Sequence, residues 1–186
     1  MTSDAITALH SRVSVSRLTD PAPSDEVLHD ICRAALRAAD HALLRPWRFL
    51  LIRGDSRHDL AELFARATQT DKPDVSAAEL DSQRGKPMRA PLIIVGIASP
   101  KDHPKVPVAE QHLSAGAALQ NMLNAAHALD VGAIWRTGPM ATHPVVREGL
   151  GLDPHETIIG FVYMGTIDGP RRIVRDEPLE PYFQDW

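Results

Sequence analysis

The feature that most constrains the fold is a long, alanine-rich segment in the second half of the chain. From about Ala109 to Leu129 the sequence has few charges, and its centre reads LSAGAALQNMLNAAHAL. This composition predicts one long helix that ends at Gly132, since alanine favours helix more than any other residue. Small side chains let neighbouring elements approach closely, so we expect this helix to form the buried centre of the molecule.

Four apolar segments predict the strands that would pack around this helix. Residues 91–98, PLIIVGIA, are continuously apolar, which is typical of a strand buried on both faces. The other three segments are RFLLI (48–52), AIWRTG (133–138) and TIIGFVYMGT (157–166). Strands interleaved with helices leave α/β and α+β folds open, and the long buried helix with its irregular connections favours α+β.

A second predicted helix begins after Ser24, whose hydroxyl suits an N-cap. Its apolar residues form one stripe at helical spacing, namely Val27, Leu28, Ile31, Cys32, Ala35 and Leu36. Arg33, Arg37 and His41 follow at steps of four on the opposite face, which would meet either solvent or a ligand. We interpret Cys32 as a packing residue, because burial in the stripe would raise the pKa of its thiol.

Composition narrows the possible partners and locations. The 186 residues suit a single domain over 1–186, and the net charge of −4 creates no overall field for nucleic acid, so any anion site is local. The one cysteine excludes an internal disulfide and suggests a reducing compartment. We find no signal peptide and no apolar run of about 18 residues for a membrane span. A soluble, cytoplasmic protein is expected.

The richest short-range chemistry follows the first predicted helix, which covers about residues 4–11. The heptapeptide SRVSVSR, from Ser11 to Arg17, contains three hydroxyls and two guanidinium groups. Further along, DHALLRPWRF (40–49) adds a histidine, two arginines and a tryptophan. Arginine forks and serine hydroxyls are donors that can surround an anion, so this pattern predicts a phosphate-binding segment.

Several catalytic signatures are absent from the sequence. There is no GxGxxG fingerprint after a strand, no P-loop, no GxSxG elbow and no HExxH site. The nine histidines show no ligand spacing, so no bound metal is expected. No side chain is predicted to be catalytic, because neither a nucleophile nor an acid–base pair stands out. If the protein is an enzyme, a cofactor would carry the chemistry.

Three segments carry a resemblance to a known family. They are RVSVSRLTDPAP (12–23), LRAADHALLRPWRFLLI (36–52) and EQHLSAGAALQNMLNAAHALDVGAIWRTG (110–138). In order and spacing this set resembles the small, single-domain bacterial branch of the FMN-dependent nitroreductase family. The shorter pieces HPKVP (103–107), VVREGLG (145–151) and GFVYMGT (160–166) are similar as well, so the likeness runs from about Arg12 to Thr166.

The resemblance implies an α+β, three-layer sandwich with a central, mostly antiparallel sheet, flanking helices and a long buried helix. It also implies a homodimer with two FMN sites at the subunit interface, each lined by both chains. The FMN contacts implied within one subunit are Arg12, Val13, Ser14, Trp135, Arg136 and Thr137. Arg37 and His41 would reach the FMN of the other subunit.

The end of the central helix is also implied as a contact for nicotinamide nucleotide, although a helix C-terminus and Asp130 both repel phosphate. The residues concerned are Ala125, Ala126, His127, Ala128, Leu129 and Asp130. Two departures from the family pattern affect electron tuning and substrate preference. Val13 replaces an arginine. Leu44 stands where many members of the family have Ser or Asn, and Arg45 stands where they have Gln. Arg45 can donate to the flavin but cannot accept from it.

The function that the resemblance implies is an FMN-dependent NAD(P)H oxidoreductase with a ping-pong cycle. Hydride would pass from nicotinamide to FMN, and then to a nitroaromatic, a quinone or a similar small acceptor. Flavin enzymes of other chemistry (desaturation, dehalogenation or flavin fragmentation) and a non-catalytic flavin-binding dimer stay open. Arg17 is either a phosphate ligand or a surface ion pair. Residues from about 168 to 186 are expected to form an extended C-terminal arm. This arm would either pack around the partner subunit or bring Arg171 and Arg172 to a phosphate.

Overall fold

Helices and strands alternate along most of the chain in the computed structural model, which describes residues 4–175 and 177–186. In chain order the elements are α1 (Asp4–Ser11), β1 (Leu18–Thr19), α2 (Asp25–Ala35), β2 (Trp47–Arg53), α3 (Ser56–Asp71), α4 (Ala77–Arg84), β3 (Leu92–Ala98), α5 (Val108–Ala128), β4 (Gly132–Arg136), α6 (Pro139–Thr142), α7 (Pro144–Gly149) and β5 (Thr157–Ile167). Short 3-10 turns lie at His41–Leu43 and Pro87–Arg89. The predicted order of helices and strands is confirmed.

The five strands form one antiparallel sheet. Strand β3 lies between β2 and β5, and every one of its residues is buried, as its continuous apolar run predicts. The other edge of β5 pairs with β4 along Phe161–Gly165 and with β1 at Thr166–Ile167. The two short strands therefore share one edge, which brings the segment after α1 close to β4.

Apolar layers cover both faces of this sheet. On one face, α2 and α5 contribute Ile31, Leu119 and Met122, which pack on Ile94. On the other face, α3 and α7 contribute side chains such as Phe64 and Val146, which pack against alternate residues of β3. Successive residues of a strand point to opposite faces, so one apolar strand serves both layers. This arrangement confirms the α+β three-layer sandwich.

Helix α5 lies against the sheet as predicted, with Ala115, Ala118 and Ala126 buried. The approach is close at Gly96, where an added Cβ would lie 2.5 Å from Leu119 Cδ2. The predicted span, about Ala109 to Leu129, agrees to within one residue at each end, but Asp130 and not Gly132 terminates the helix. The helix ends in a left-handed turn at Asp130 (φ 62°), and the Val131 N–H donates to the Ala126 carbonyl at 2.8 Å.

The prediction that Arg37 and His41 continue the polar face of α2 is wrong. The helix ends at Ala35, and the N–H groups of Arg37 and Ala38 donate to carbonyls only three residues back. The Asp40 carboxylate then accepts from the Arg45 N–H at 2.7 Å, which requires a non-helical loop. Local hydrogen bonds thus override a helical period that the sequence continues to His41.

Candidate functional site

The segment after α1 runs beside β4. The Val15 N–H donates to the Ala133 carbonyl at 2.9 Å, on the edge of β4 that β5 leaves open. This contact places Arg12, Val13 and Ser14 close to the strand that carries Trp135 and Arg136. The two groups of predicted FMN contacts are therefore neighbours in space, although more than a hundred residues separate them in the sequence.

A cavity of about 810 Å³ opens beside this segment, and we call it the arm cavity. Its walls are the predicted FMN contacts Arg12, Val13 and Ser14, together with residues of the C-terminal arm, namely Arg172, Ile173, Val174, Arg175 and Glu177. Among the described residues that line the cavity, three are arginines and one is a glutamate, so this set carries a positive excess in a chain of net charge −4. Its volume lies within the usual range of about 300–1,000 Å³ for cofactor and ligand sites.

The end of α5 adjoins the same region. His127 Nε2 lies 3.0 Å from Ser11 Oγ, and burial lowers the pKa of this histidine, as do the charges of Arg171 and Arg12. The imidazole is therefore held in its neutral form near pH 7. Asp130 forms an ion pair with Arg171. The Arg171 guanidinium offsets the negative charge of Asp130, which would otherwise repel a phosphate near this helix end.

The six residues predicted to contact nicotinamide nucleotide differ in exposure. Ala126 is fully buried in the core, so its side chain packs against protein alone. His127 is half-buried against Ser11, whereas Leu129 and Asp130 are exposed. Ala125 is half-buried and Ala128 is exposed. Only the last turn of α5 and the residues that follow it therefore present a surface to a ligand.

Strand β4 divides its predicted flavin contacts between the two faces of the sheet. The Trp135 indole packs in the layer of α2 and α5, and its Nε1 donates to the Ile159 carbonyl at 3.3 Å. Arg136 lies on the other face, with its Cζ 5.5 Å from the centre of the Tyr163 ring. Thr137 follows at the exposed end of the strand. Trp135 thus supports the strand from the core.

A second cavity, of about 270 Å³, lies on the Arg136 face, and we call it the aromatic pocket. It is lined by Phe64, Gln83, Lys86, Arg89, Arg136, Thr137, Pro139, Met140, Phe161 and Tyr163. Burial raises the pKa of Tyr163, and Arg136 and Arg89 partly oppose that shift. Sequence reasoning missed Gln83 in the last turn of α4, and Lys86 and Arg89 in the turn that follows, because none of them belongs to a local motif.

The loop after α2 holds His41 away from both cavities of its own chain. His41 Nδ1 lies 2.9 Å from Glu110 Oε2 in the first turn of α5. Three non-glycine residues of the loop adopt left-handed backbone, namely Ala42 (φ 61°), Leu43 (φ 54°) and Arg45 (φ 50°). Such conformations cost energy and concentrate at functional sites. Arg37 is exposed in the preceding turn.

The structure resolves the alternative left open for Arg17. Its guanidinium donates to Asp168 Oδ2 from Nε at 3.3 Å and from Nη2 at 2.9 Å. The Asp168 N–H also donates to the Arg17 carbonyl at 3.1 Å. Arg17 is therefore a surface ion pair that holds the start of the C-terminal arm against the segment after α1.

Sequence reasoning also missed an ion pair that joins half-buried Arg48 of β2 to buried Glu156 at the start of β5. Glu156 is 2% exposed and accepts from Arg48 Nε at 2.7 Å and from Arg48 Nη2 at 2.6 Å. The Asp153 N–H adds a third hydrogen bond at 3.0 Å. The Arg48 hydrogen bond is the main reason why the pKa of Glu156 falls to about 2, against the opposing effect of burial. This pair fixes the loop before β5.

Comparisons with known proteins identify the family of this chain. A model of the Nitroreductase family matches residues 9–166. The chain belongs to the nitroreductase family. Among curated relatives of this nitroreductase-family protein is the Escherichia coli (strain K12) protein named "Putative NAD(P)H nitroreductase YdjA", which is 42% identical over 163 residues, 88% of each chain. The family assignment drawn from the three segments is therefore confirmed.

Solved structures share the fold of this nitroreductase-family protein. A nitroreductase-like protein from Bacillus cereus superposes with a TM-score of 0.82 at 20% identity, covering 100% of this chain and 97% of the other. A Desulfovibrio desulfuricans protein crystallised in complex with FMN has a TM-score of 0.75 at 26% identity, with 100% and 98% covered. No helix among residues 4–175 and 177–186 is both long and apolar enough to span a membrane.

Proposed function

We propose that this protein is an FMN-dependent NAD(P)H oxidoreductase of the nitroreductase type that acts as a homodimer. The observation that carries the proposal is the arm cavity, which Arg12, Arg172 and Arg175 line together with Ser14. The E. coli relative is named for an NAD(P)H nitroreductase, and a structural neighbour binds FMN. We further propose that residues 1–186 act as one FMN-binding domain in the cytoplasm.

The donors of the arm cavity fit a phosphate dianion. Each arginine offers a planar fork that pairs with two phosphate oxygens, and the Ser14 hydroxyl can donate a further hydrogen bond. Glu177 supplies the one carboxylate among the described residues that line the cavity. Val13 would contribute only its backbone or an apolar contact. We therefore assign phosphate binding to Arg12, Ser14 and Arg172, with Arg175 at the rim.

Arg136 and Thr137 fit the polar edge of the flavin ring. The Nε–H of Arg136 is buried and has no acceptor in the part of the chain that the structure describes. A half-buried cation with a free donor favours an electron-rich ring edge and would stabilise its reduced, anionic form. When bound, FMN would accept hydride from a nicotinamide nucleotide and reduce a nitroaromatic or quinone in ping-pong order. The protein itself contributes the positioning of the reactants and electrostatic stabilisation.

A second subunit completes the proposed site. Arg37 and His41 line neither cavity of their own chain, although Glu110 and the strained loop hold His41 in place. Large apolar side chains are exposed nearby at Leu43 (76%) and Leu113 (74%). The arm exposes Ile173, Leu179, Tyr182, Phe183 and Trp186. Exposed apolar surface on this scale is typical of an interface, so we propose that these residues contact the partner.

The end of α5 is proposed as the nicotinamide contact through its exposed residues, from Ala128 to Asp130. The Arg171–Asp130 pair reduces repulsion of a nucleotide phosphate there. The helix C-terminus still disfavours an anion, so the contact would be with the uncharged part of the nucleotide. His127 would act through its neutral ring.

The decisive experiment is an absorption spectrum of the purified protein after addition of FMN and removal of the free cofactor. A flavin spectrum that bleaches with NADPH or NADH and recovers with an acceptor would support the reductase. Retained flavin without bleaching would point to a flavin-binding dimer instead. Product analysis under oxygen separates the other flavin chemistries. A protein that takes up no FMN would overturn the proposal.

A further inference from the structure

The C-terminal arm is attached to its own chain at two points before it reaches the arm cavity. At the first point, the Asp168 carboxylate accepts two hydrogen bonds from the Arg17 guanidinium, and the Asp168 N–H donates to the Arg17 carbonyl at 3.1 Å. At the second point, Arg171 forms an ion pair with Asp130 in the turn that follows α5. Both attachments are polar and lie at the start of the arm.

Apolar packing does not replace these two attachments in the described part of the arm. Every residue that the structure describes from Asp168 onward is exposed, and Ile173 in the cavity wall is 87% exposed. Within residues 168–175 and 177–186, the hydrogen bonds to the rest of the chain come from Asp168 and Arg171. The position of the wall that the arm gives to the cavity therefore depends on ion pairs.

Arg171 and Arg172 follow one another in the arm but have different partners. Arg171 pairs with Asp130, whereas Arg172 lines the arm cavity together with Arg12. Burial is the largest cause that lowers the pKa of His127, and the charges of Arg171 and Arg12 lower it further, so both guanidinium groups lie near one imidazole. Holding Arg171 at the end of α5 thus brings its neighbour Arg172 to the same cavity as Arg12.

Asp130 occupies a backbone conformation that glycine and asparagine adopt more readily. Its φ is 62°, and helices that end in such a left-handed residue usually have glycine or asparagine there. The hydrogen bond that closes the turn runs from the Val131 N–H to the Ala126 carbonyl, so it is a backbone bond. The Asp130 carboxylate is 88% exposed and pairs with Arg171. What the aspartate adds to this turn is therefore a charge that holds the arm.

We propose that Asp130 is a positioning residue for the flavin phosphate, because through Arg171 it holds the arm where Arg172 and Arg175 line the arm cavity. The inference rests on the proposed function, since it takes this cavity as the phosphate site. An arm released from Asp130 has more freedom, and ordering it again on binding weakens affinity. Riboflavin has the same ring as FMN but no phosphate, so its affinity does not depend on the arm.

The test measures the affinities of FMN and riboflavin for the flavin-free protein by fluorescence titration at low salt, without nicotinamide. Asp130→Asn removes the charge and keeps a residue type that suits the left-handed turn. Its affinity for FMN should fall about threefold, the size expected for an exposed ion pair, while its affinity for riboflavin stays unchanged. Asp25→Asn is the matched control, because Asp25 forms an exposed ion pair with Arg53 and neither residue lines a candidate cavity.

Two further comparisons test whether Asp130 acts through the arm. In a protein that already has Arg172→Gln and Arg175→Gln, adding Asp130→Asn should leave the FMN affinity unchanged, because the arginines that it positions are gone. In about 1 M salt, where the screening length is about 3 Å, the wild type and Asp130→Asn should bind FMN alike. Equal losses of FMN and riboflavin affinity would indicate a structural role and overturn the inference. An undiminished effect in the protein without the two arm arginines would overturn it too.

Cleavage by trypsin tests the attachment without any flavin. The protease must take the Arg171 guanidinium into its own pocket, so the pair with Asp130 protects this site. Asp130→Asn should be cleaved after Arg171 about threefold faster than the wild type or Asp25→Asn, as followed by mass spectrometry. If the protein binds no FMN while Asp130→Asn is cleaved faster, the proposed reductase fails and the attachment stands. If FMN binds normally while both proteins are cleaved alike, the reductase stands and the inference fails.

Discussion

Single arginines in this protein divide into those with a carboxylate partner and those without one. Arg17, Arg48 and Arg84 are each paired, to Asp168, Glu156 and Glu62 respectively. Arg12 and Arg136 have no such partner in the described part of the chain. An unpaired guanidinium near a cavity keeps its forks free for an anion. This division separates binding candidates from structural ones better than the sequence alone, where Arg12 and Arg17 belong to one motif.

Replacing Arg12 with alanine should weaken FMN retention by about tenfold or more, since a charged hydrogen bond to phosphate is lost. The measurement is the ratio of flavin to protein absorbance after gel filtration, supported by fluorescence titration. Arg53→Ala is the control, because Arg53 pairs with Asp25 and lines neither cavity, so this change should leave flavin content unchanged. Equal retention in the two variants would remove Arg12 from the site.

Glu156 predicts an acid-sensitive contribution to stability. Its pKa in the folded protein is about 2, below the ordinary value of 4.5, so the carboxylate stabilises the fold at neutral pH. That contribution of about 3 kcal/mol is lost as pH falls through the range between the two values. Glu156→Gln should therefore lower the free energy of unfolding in urea at pH 7, and the deficit should shrink below about pH 4. The exposed Glu148→Gln is the control, and a deficit independent of pH would contradict the assignment.

At the scale of elements, β4 links the core to both candidate cavities. Its alternate residues place Trp135 in one apolar layer and Arg136 beside the aromatic pocket, while Val15 occupies its free edge. Trp135 fits because Gly160 has no side chain, since an added Cβ there would meet the indole Nε1 and would lie 2.5 Å from Cδ1. The position of Arg136 thus depends on a glycine of the neighbouring strand.

Gly160→Ala should displace Trp135 and lower stability by roughly 1–3 kcal/mol, the usual cost of overpacking a core. Because Arg136 and Thr137 follow Trp135, flavin retention should fall as well. Tryptophan fluorescence and denaturant unfolding report the first effect, and flavin absorbance reports the second. Gly85→Ala is the control, since its added Cβ would meet only ordinary contacts such as Asp81 O at 3.4 Å. Unchanged fluorescence in Gly160→Ala would contradict the packing argument.

Local pattern predicts the elements well where burial and periodicity agree. The span of α5 and the buried run of β3 match their predictions to within a residue or two. The end of α2 does not, because the Asp40 carboxylate accepts from the Arg45 N–H and pulls the chain out of the helix. Helical spacing in Arg33, Arg37 and His41 could not reveal that contact. A periodic pattern does not record a side chain that accepts from a backbone N–H five residues further along the chain.

At the scale of the whole molecule, the proposed sites need two chains. Arg12 would come from one subunit and His41 from the other, so each single variant, Arg12→Ala or His41→Ala, should lose flavin. A mixture of the two variants, refolded together, should recover about a quarter of the sites, because half of the dimers are mixed and each mixed dimer has one intact site. Flavin content no higher than the mean of the separate variants would contradict shared sites.

The sequence alone determined the family, the order of the elements and the segments that supply the predicted FMN contacts. These are local properties, because they depend on apolar periodicity and on short runs of hydroxyl and guanidinium side chains. Tertiary structure decided that Arg17 pairs with Asp168, that arm residues such as Arg172 join Arg12 around one cavity, and that Lys86 and Arg89 meet Arg136 around another. Such groupings depend on which distant segments pack together, because a cavity is formed by the space between elements and no single stretch of chain encodes it.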